Sequence, residues 1–96
     1  LTNLFVIDVK KDHIAKGLRG SCYACPVAKS LWDLGYTLVS VDGQHISFKN
    51  GAETVIAPTP KPVKDFIRRF DDDLAVQPFT FEIRRNGDSR MAEGFV

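Results

Sequence analysis

Thr37-Leu38-Val39-Ser40-Val41-Asp42-Gly43-Gln44-His45-Ile46-Ser47-Phe48-Lys49 is the stretch that decides the fold class. Two runs rich in β-branched and aromatic residues flank Asp42-Gly43, a dipeptide that favours the tight turn of an antiparallel hairpin. A two-residue loop predicts Val41 opposite Gln44, Val39 opposite Ile46 and Thr37 opposite Phe48. Side chains alternate along a strand, so Val39, Val41, Ile46 and Phe48 share one face, and Ser40, His45, Ser47 and Lys49 the other. A hairpin with one apolar face has to be covered by another layer.

The flanking sequence supplies that layer. Upstream, Pro26 suits the first position of a helix, where no amide hydrogen is needed, and Cys25 falls at the cap. Val27, Leu31 and Leu34 then form an apolar stripe, with Trp32 at its edge and Gly35 as the stop. Further upstream, Leu4 to Lys10 reads as a strand with Phe5, Ile7 and Val9 inward. Asp12 is placed to cap a short turn over His13 to Lys16, ended by Gly17. Downstream, Asn50-Gly51 is a second turn, and Glu53 to Ala57 reads as a short returning strand. Thr59 caps a second long helix in which Val63, Phe66, Ile67, Phe70 and Leu74 keep the helical period. Pro78 to Arg85 alternates again, with Phe79, Phe81 and Ile83 on one side.

The main elements therefore run β-α-β-β-α-β. That order predicts an α+β, ferredoxin-like two-layer sandwich, an antiparallel sheet with two main helices on one face. Right-handed crossovers would place the first and third strands centrally. Residues 1–96 form a single domain, with 86–96 a frayed tail or a short hairpin return after Asn86-Gly87.

Composition limits the function classes. The chain is 44% hydrophobic and 26% charged, a globular balance, and its formal charge of +1 disfavours a general electrostatic hold on nucleic acid or anionic membrane. No apolar run approaches the roughly 18–20 residues that span a bilayer, and no basic signal-peptide start is present. Leu1 in place of Met suits a trimmed tag or an alternative start codon read literally. A two-cysteine chain without a secretion signal is expected in a reducing cytoplasm.

Both cysteines lie three positions apart in Ser21-Cys22-Tyr23-Ala24-Cys25-Pro26. As structural groups, one packs under the helix as a small hydrophobe and the other touches the loop. As redox groups, Cys22 and Cys25 gain thiolate character from the helix N-terminus and Arg19. As metal ligands they are half of a zinc site that His13 and His45, or the same cysteine pair from a second subunit, would have to complete, without the second close-spaced pair zinc sites usually show. The structural role is the expectation, and no metal or cofactor is assigned.

Leu4 to Val9 also resembles the first-strand motif of RNA-recognition-motif domains, but those stack bases on aromatics exposed on the sheet. The strand phase puts Phe5 on the helix side, so it belongs to the core. Asp71-Asp72-Asp73 lacks the alternation of a calcium loop and reads as a solvated helix end. Arg68-Arg69 and Arg84-Arg85 are basic doublets largely cancelled by neighbouring acids. No Ser-His-Asp set, phosphate-binding glycine loop or His-Glu-x-x-His is present, and the chain reads as non-enzymatic.

The run from His13 to Ala28, HIAKGLRGSCYACPVA, resembles a small uncharacterised protein family of actinobacterial bacteriophages. So do Val63 to Asp71 and Pro78 to Glu82, and together the likeness covers roughly Val9 to Ile83. The resemblance implies a phage-encoded accessory protein in the bacterial host cytoplasm, and no activity comes with it. The expected function is protein–protein interaction, with a host factor or a second copy as partner. The alternatives are a cysteine-dependent zinc-binding or thiol-redox protein and, more weakly, a nucleic-acid-binding module.

Overall fold

The computed structural model describes residues 4–84. Its elements are β1 (Leu4–Val9), α1 (Lys11–Lys16), α2 (Pro26–Asp33), β2 (Thr37–Val41), β3 (His45–Asn50), β4 (Glu53–Pro58), α3 (Lys61–Asp71) and β5 (Phe79–Arg84). The α+β class is as expected. The single ferredoxin-like sheet is replaced by two antiparallel sheets, β1-β5 and β2-β3-β4. The cause is β4, which turns back at Gly51 and pairs along the whole of β3, from Asn50 opposite Glu53 to His45 opposite Pro58. With β2 on its other side, β3 has no edge left for β1, which pairs with β5 alone. The third strand is central in its own sheet; the first is not. The expected tail at 86–96 and Arg85 lie outside the described residues.

The hairpin forms with its faces as predicted and its register moved. Val41 faces Ile46 and Ser40 faces Ser47, two positions from the expected pairing. An even slip keeps every side chain on its face, so Val39, Val41, Ile46 and Phe48 are all buried. The loop is longer because neither Asp42 nor Gly43 takes the positive φ that a two-residue turn demands. Instead the Asp42 carboxylate accepts from the amides of Gln44 (2.7 Å) and His45 (2.8 Å), an Asx turn. The register shifts again between Thr37 and Ser40, where Leu38 has φ 48°. A β-bulge accounts for the shift.

Two helix starts differ from expectation. Asp12 does not cap α1: the helix begins at Lys11, and the imidazole Nδ1 of His13 accepts the Lys10 amide at 2.9 Å. Thr59 does not cap α3, whose cap is Pro60. Its hydroxyl donates to the Asp42 carbonyl at 2.7 Å and its amide to the Gln44 carbonyl at 3.0 Å, so the hairpin tip takes the groups a cap would have used. α2 starts as predicted, with Cys25 as cap and Pro26 first. It ends in a Schellman closure, Tyr36 amide to Leu31 carbonyl and Gly35 amide to Trp32 carbonyl, with Gly35 at φ 91°. That closure leaves Leu34 exposed, and the buried face is Val27, Ala28, Ser30 and Leu31.

The core joins both sheets. Phe5 of β1 meets Phe48 of β3 edge-on at 5.4 Å, and Tyr36 stacks on Phe48 at 4.5 Å. α3 docks through Val63 and Phe66, with Phe66 against Phe79 at 4.8 Å. Phe70 and Phe79 are only half-buried, and Leu74 lies beyond the end of α3 and is exposed. Phe48→Ala should therefore cost roughly 3–5 kcal/mol in urea melts, the range for deleting a buried aromatic. Phe70→Ala should cost clearly less, and equal losses would refute this division of the core.

Candidate functional site

The segment between α1 and α2 carries both cysteines and is held from several sides. Inside it, the Leu18 amide donates to the Ala24 carbonyl at 2.9 Å, and Ser21 Oγ accepts from the amides of Tyr23 (3.3 Å) and Ala24 (3.0 Å). From β2, the Val41 amide donates to the Cys22 carbonyl at 2.8 Å. From the end of α3, Asp71 accepts the Gly20 amide at 2.9 Å and Asp73 pairs with Arg19. Asp71 and Asp73 are thus clamps on the cysteine loop rather than a merely solvated helix end. Gly17 lies against the Pro26 ring so closely that a Cβ there would sit 2.6 Å from Pro26 Cδ.

Within this frame the thiols differ. Cys25 is buried, and its Sγ accepts the Ala28 amide at 3.4 Å as the cap of α2. Cys22 is half-buried. Both are free, and both line one cleft of about 140 Å³ with Val41, Ile67 and Asp71. Burial pushes the Cys25 thiol up from its ordinary pKa, outweighing the hydrogen bonds from the Ala28 and Val27 amides. The helix N-terminus therefore does not hold Cys25 as a thiolate, and Arg19 is committed to Asp73.

The four candidate ligands Cys22, Cys25, His13 and His45 are not gathered. Among the described residues, no three His, Cys, Asp or Glu side chains are grouped to hold a metal ion. His13 is 6% exposed and both its nitrogens are engaged. Because Nδ1 accepts from the Lys10 amide, Nε2 carries the hydrogen and donates to Asp33 Oδ2 at 2.6 Å. His45 is exposed at the hairpin turn. Phe5 is buried against Tyr36 and Phe48, so β1 offers no base-stacking face there. Of the basic doublets, Arg69 is spent on the Ala75 carbonyl at 3.2 Å and 3.0 Å.

Sequence reasoning missed the apolar surface around the end of α2. Trp32 is 43% exposed and its indole Nε1–H donates to the carbonyl of Tyr23 at 2.9 Å; Tyr23 itself is 66% exposed. Trp32 lines a cleft of about 250 Å³ with Lys16, Lys29 and Asp33. Leu34 and the outward Val6 line a neighbouring one of about 110 Å³, and the His13–Asp33 pair borders both. Leu38 follows four residues after Leu34, exposed and in the left-handed region that leucine disfavours. The available signal was Gly35: a helix stopped there by a Schellman turn turns Leu34 out of the stripe.

The hydrogen bond from His13 holds the Asp33 carboxyl below the usual carboxylate range. A depressed acid contributes stability that is complete above its unfolded pKa and lost as pH falls through its folded value. Urea melts of the parent and Asp33→Asn should differ most near neutrality and converge in acid, below the ordinary Asp value of ~3.9. A difference that persists or grows in acid would contradict the pairing.

Among known proteins, no family model, no curated protein and no solved structure matches this chain.

Proposed function

We propose that this chain is a small non-enzymatic accessory protein that binds another protein through the surface around the end of α2. In line with the phage resemblance, the partner is a factor of the bacterial host and the place of action its cytoplasm. The observation that carries the reading is the exposed Tyr23–Trp32 pair beside Leu34 and Val6. Tyrosine and tryptophan are enriched in the energetic centres of interfaces because they bury much area at small entropic cost. Lys16, Lys29 and Asp33 surround the pair with the mixed charge of an interface rim. Leu38, held at positive φ and exposed, adds strain of the kind that clusters at functional sites.

A second reading, thiol chemistry at Cys22 and Cys25, is supported by the two free thiols lining one cleft. Zinc binding and nucleic-acid binding have no comparable observation behind them.

A photoreactive phenylalanine analogue at position 23 should cross-link one host protein, identified by mass spectrometry and then purified. Against that partner, Trp32→Ala and Leu34→Asp should each weaken binding by roughly 2 kcal/mol, about thirtyfold in Kd. Glu82→Lys, on the exposed side of β5, should leave Kd unchanged. Equal affinity for all three variants would remove the α2 surface from the interface. A concentration-dependent dimer in sedimentation velocity, lost in Trp32→Ala, would replace the host protein by a second copy.

A further inference from the structure

Cys22, Tyr23 and Ala24 form a turn that leads directly into α2 at Cys25. Residues three apart across a tight turn come within about 7 Å, the limit of Cα separation that a disulfide bridges, so the Cys22–Cys25 spacing is compatible with one. Both thiols face the same cleft, one half-buried and one buried, with Val41, Ile67 and Asp71 around them. The backbone on either side is fixed. The Cys22 carbonyl is bound by the Val41 amide, and the Cys25 carbonyl accepts the Lys29 amide at 2.9 Å as the first turn of α2. Between these anchors sits Tyr23, whose carbonyl holds the indole of Trp32.

We infer that Cys22 and Cys25 form an intramolecular disulfide by exchange with a low-molecular-weight disulfide, and that closing it displaces Tyr23 and the Trp32 indole. The half-buried Cys22 is the thiol an incoming disulfide reaches first. Its thiolate attacks one sulfur of the small disulfide; the S–S bond breaks and one small thiolate leaves. Cys25 Sγ, having given its proton to solvent, then attacks Cys22 Sγ and releases the second small thiolate. Two protein thiols are oxidised and one small disulfide is reduced to two thiols, so atoms and electrons balance. Burial, which favours the protonated Cys25 thiol, makes the second step the slow one. Closure also takes Cys25 Sγ away from the Ala28 amide, so the start of α2 loosens while its backbone anchors hold the strain on the Tyr23 segment. The inference rests on the thiol reading of Cys22 and Cys25, and because Tyr23 and Trp32 move with the loop it would also alter the proposed protein-binding surface.

Trp32 is the only tryptophan in the chain, so its emission reports the loop directly. The full chain incubated with excess oxidised glutathione should lose the mass of two hydrogen atoms, keep no glutathione and shift its tryptophan emission; dithiothreitol should reverse both changes. Cys25→Ser, in which serine remains a good helix cap, should instead stop at a stable glutathione adduct on Cys22 without the emission shift. Cys22→Ser should react far more slowly, through the buried thiol only. A parent chain that stays reduced, carries two separate adducts or cross-links into dimers overturns the inference. So does a disulfide that leaves the Trp32 emission unchanged.

Discussion

The hydrogen bond from the Val41 amide to the Cys22 carbonyl fastens the irregular loop between α1 and α2 to the last residue of β2. Through it the cysteine loop becomes an extension of β2, and α2 leaves from a point fixed in the sheet. The clamps from Asp71 and Asp73 tie the same loop to the end of α3. Two helices and a strand distant in sequence thus meet on residues 17 to 25. The interior is apolar and non-directional, able to accept more than one helix placement. These directional bonds select one.

The hairpin tip performs the matching service on the other side. The carboxylate of Asp42 shapes the turn, and its carbonyl receives the Thr59 hydroxyl that positions the start of α3. The residue that redirects the β2–β3 loop therefore also sets where α3 begins. Local turn chemistry and tertiary placement are coupled through one side chain and its own backbone.

Periodicity made much of this legible. The inward residues of β1, β3 and β5 and the start of α2 at Cys25-Pro26 followed from alternation and from proline's missing amide. What escaped was decided by competition between partners. Thr59 and Asp12 have capping side chains, yet a hairpin carbonyl claimed the first and His13 took over the helix start from the second. β4 was visible as a returning strand, but nothing in its residues says that it would occupy the edge of β3 and divide one sheet into two. The candidate site divided in the same way. The cysteines were found from spacing, whereas the apolar stripe took in Leu34, which is the cap residue of α2 and is turned outward by the closure at Gly35. The pairing of His13 with Asp33, twenty positions apart, left no local mark.

The close approach of Gly17 to Pro26 bears on how this chain can change over generations. Gly17 has an ordinary φ of −70°, so its backbone conformation would accept any residue; what forbids one is position 26, where the proline ring carbons would lie 2.6 Å and the backbone nitrogen 2.7 Å from a Cβ. Replacing Pro26 would remove the ring carbons and leave the nitrogen, so a side chain at position 17 becomes admissible only when the two stretches of main chain move apart. The constraint is one of main chain against main chain, and it holds position 17 to glycine whether or not proline is kept at 26.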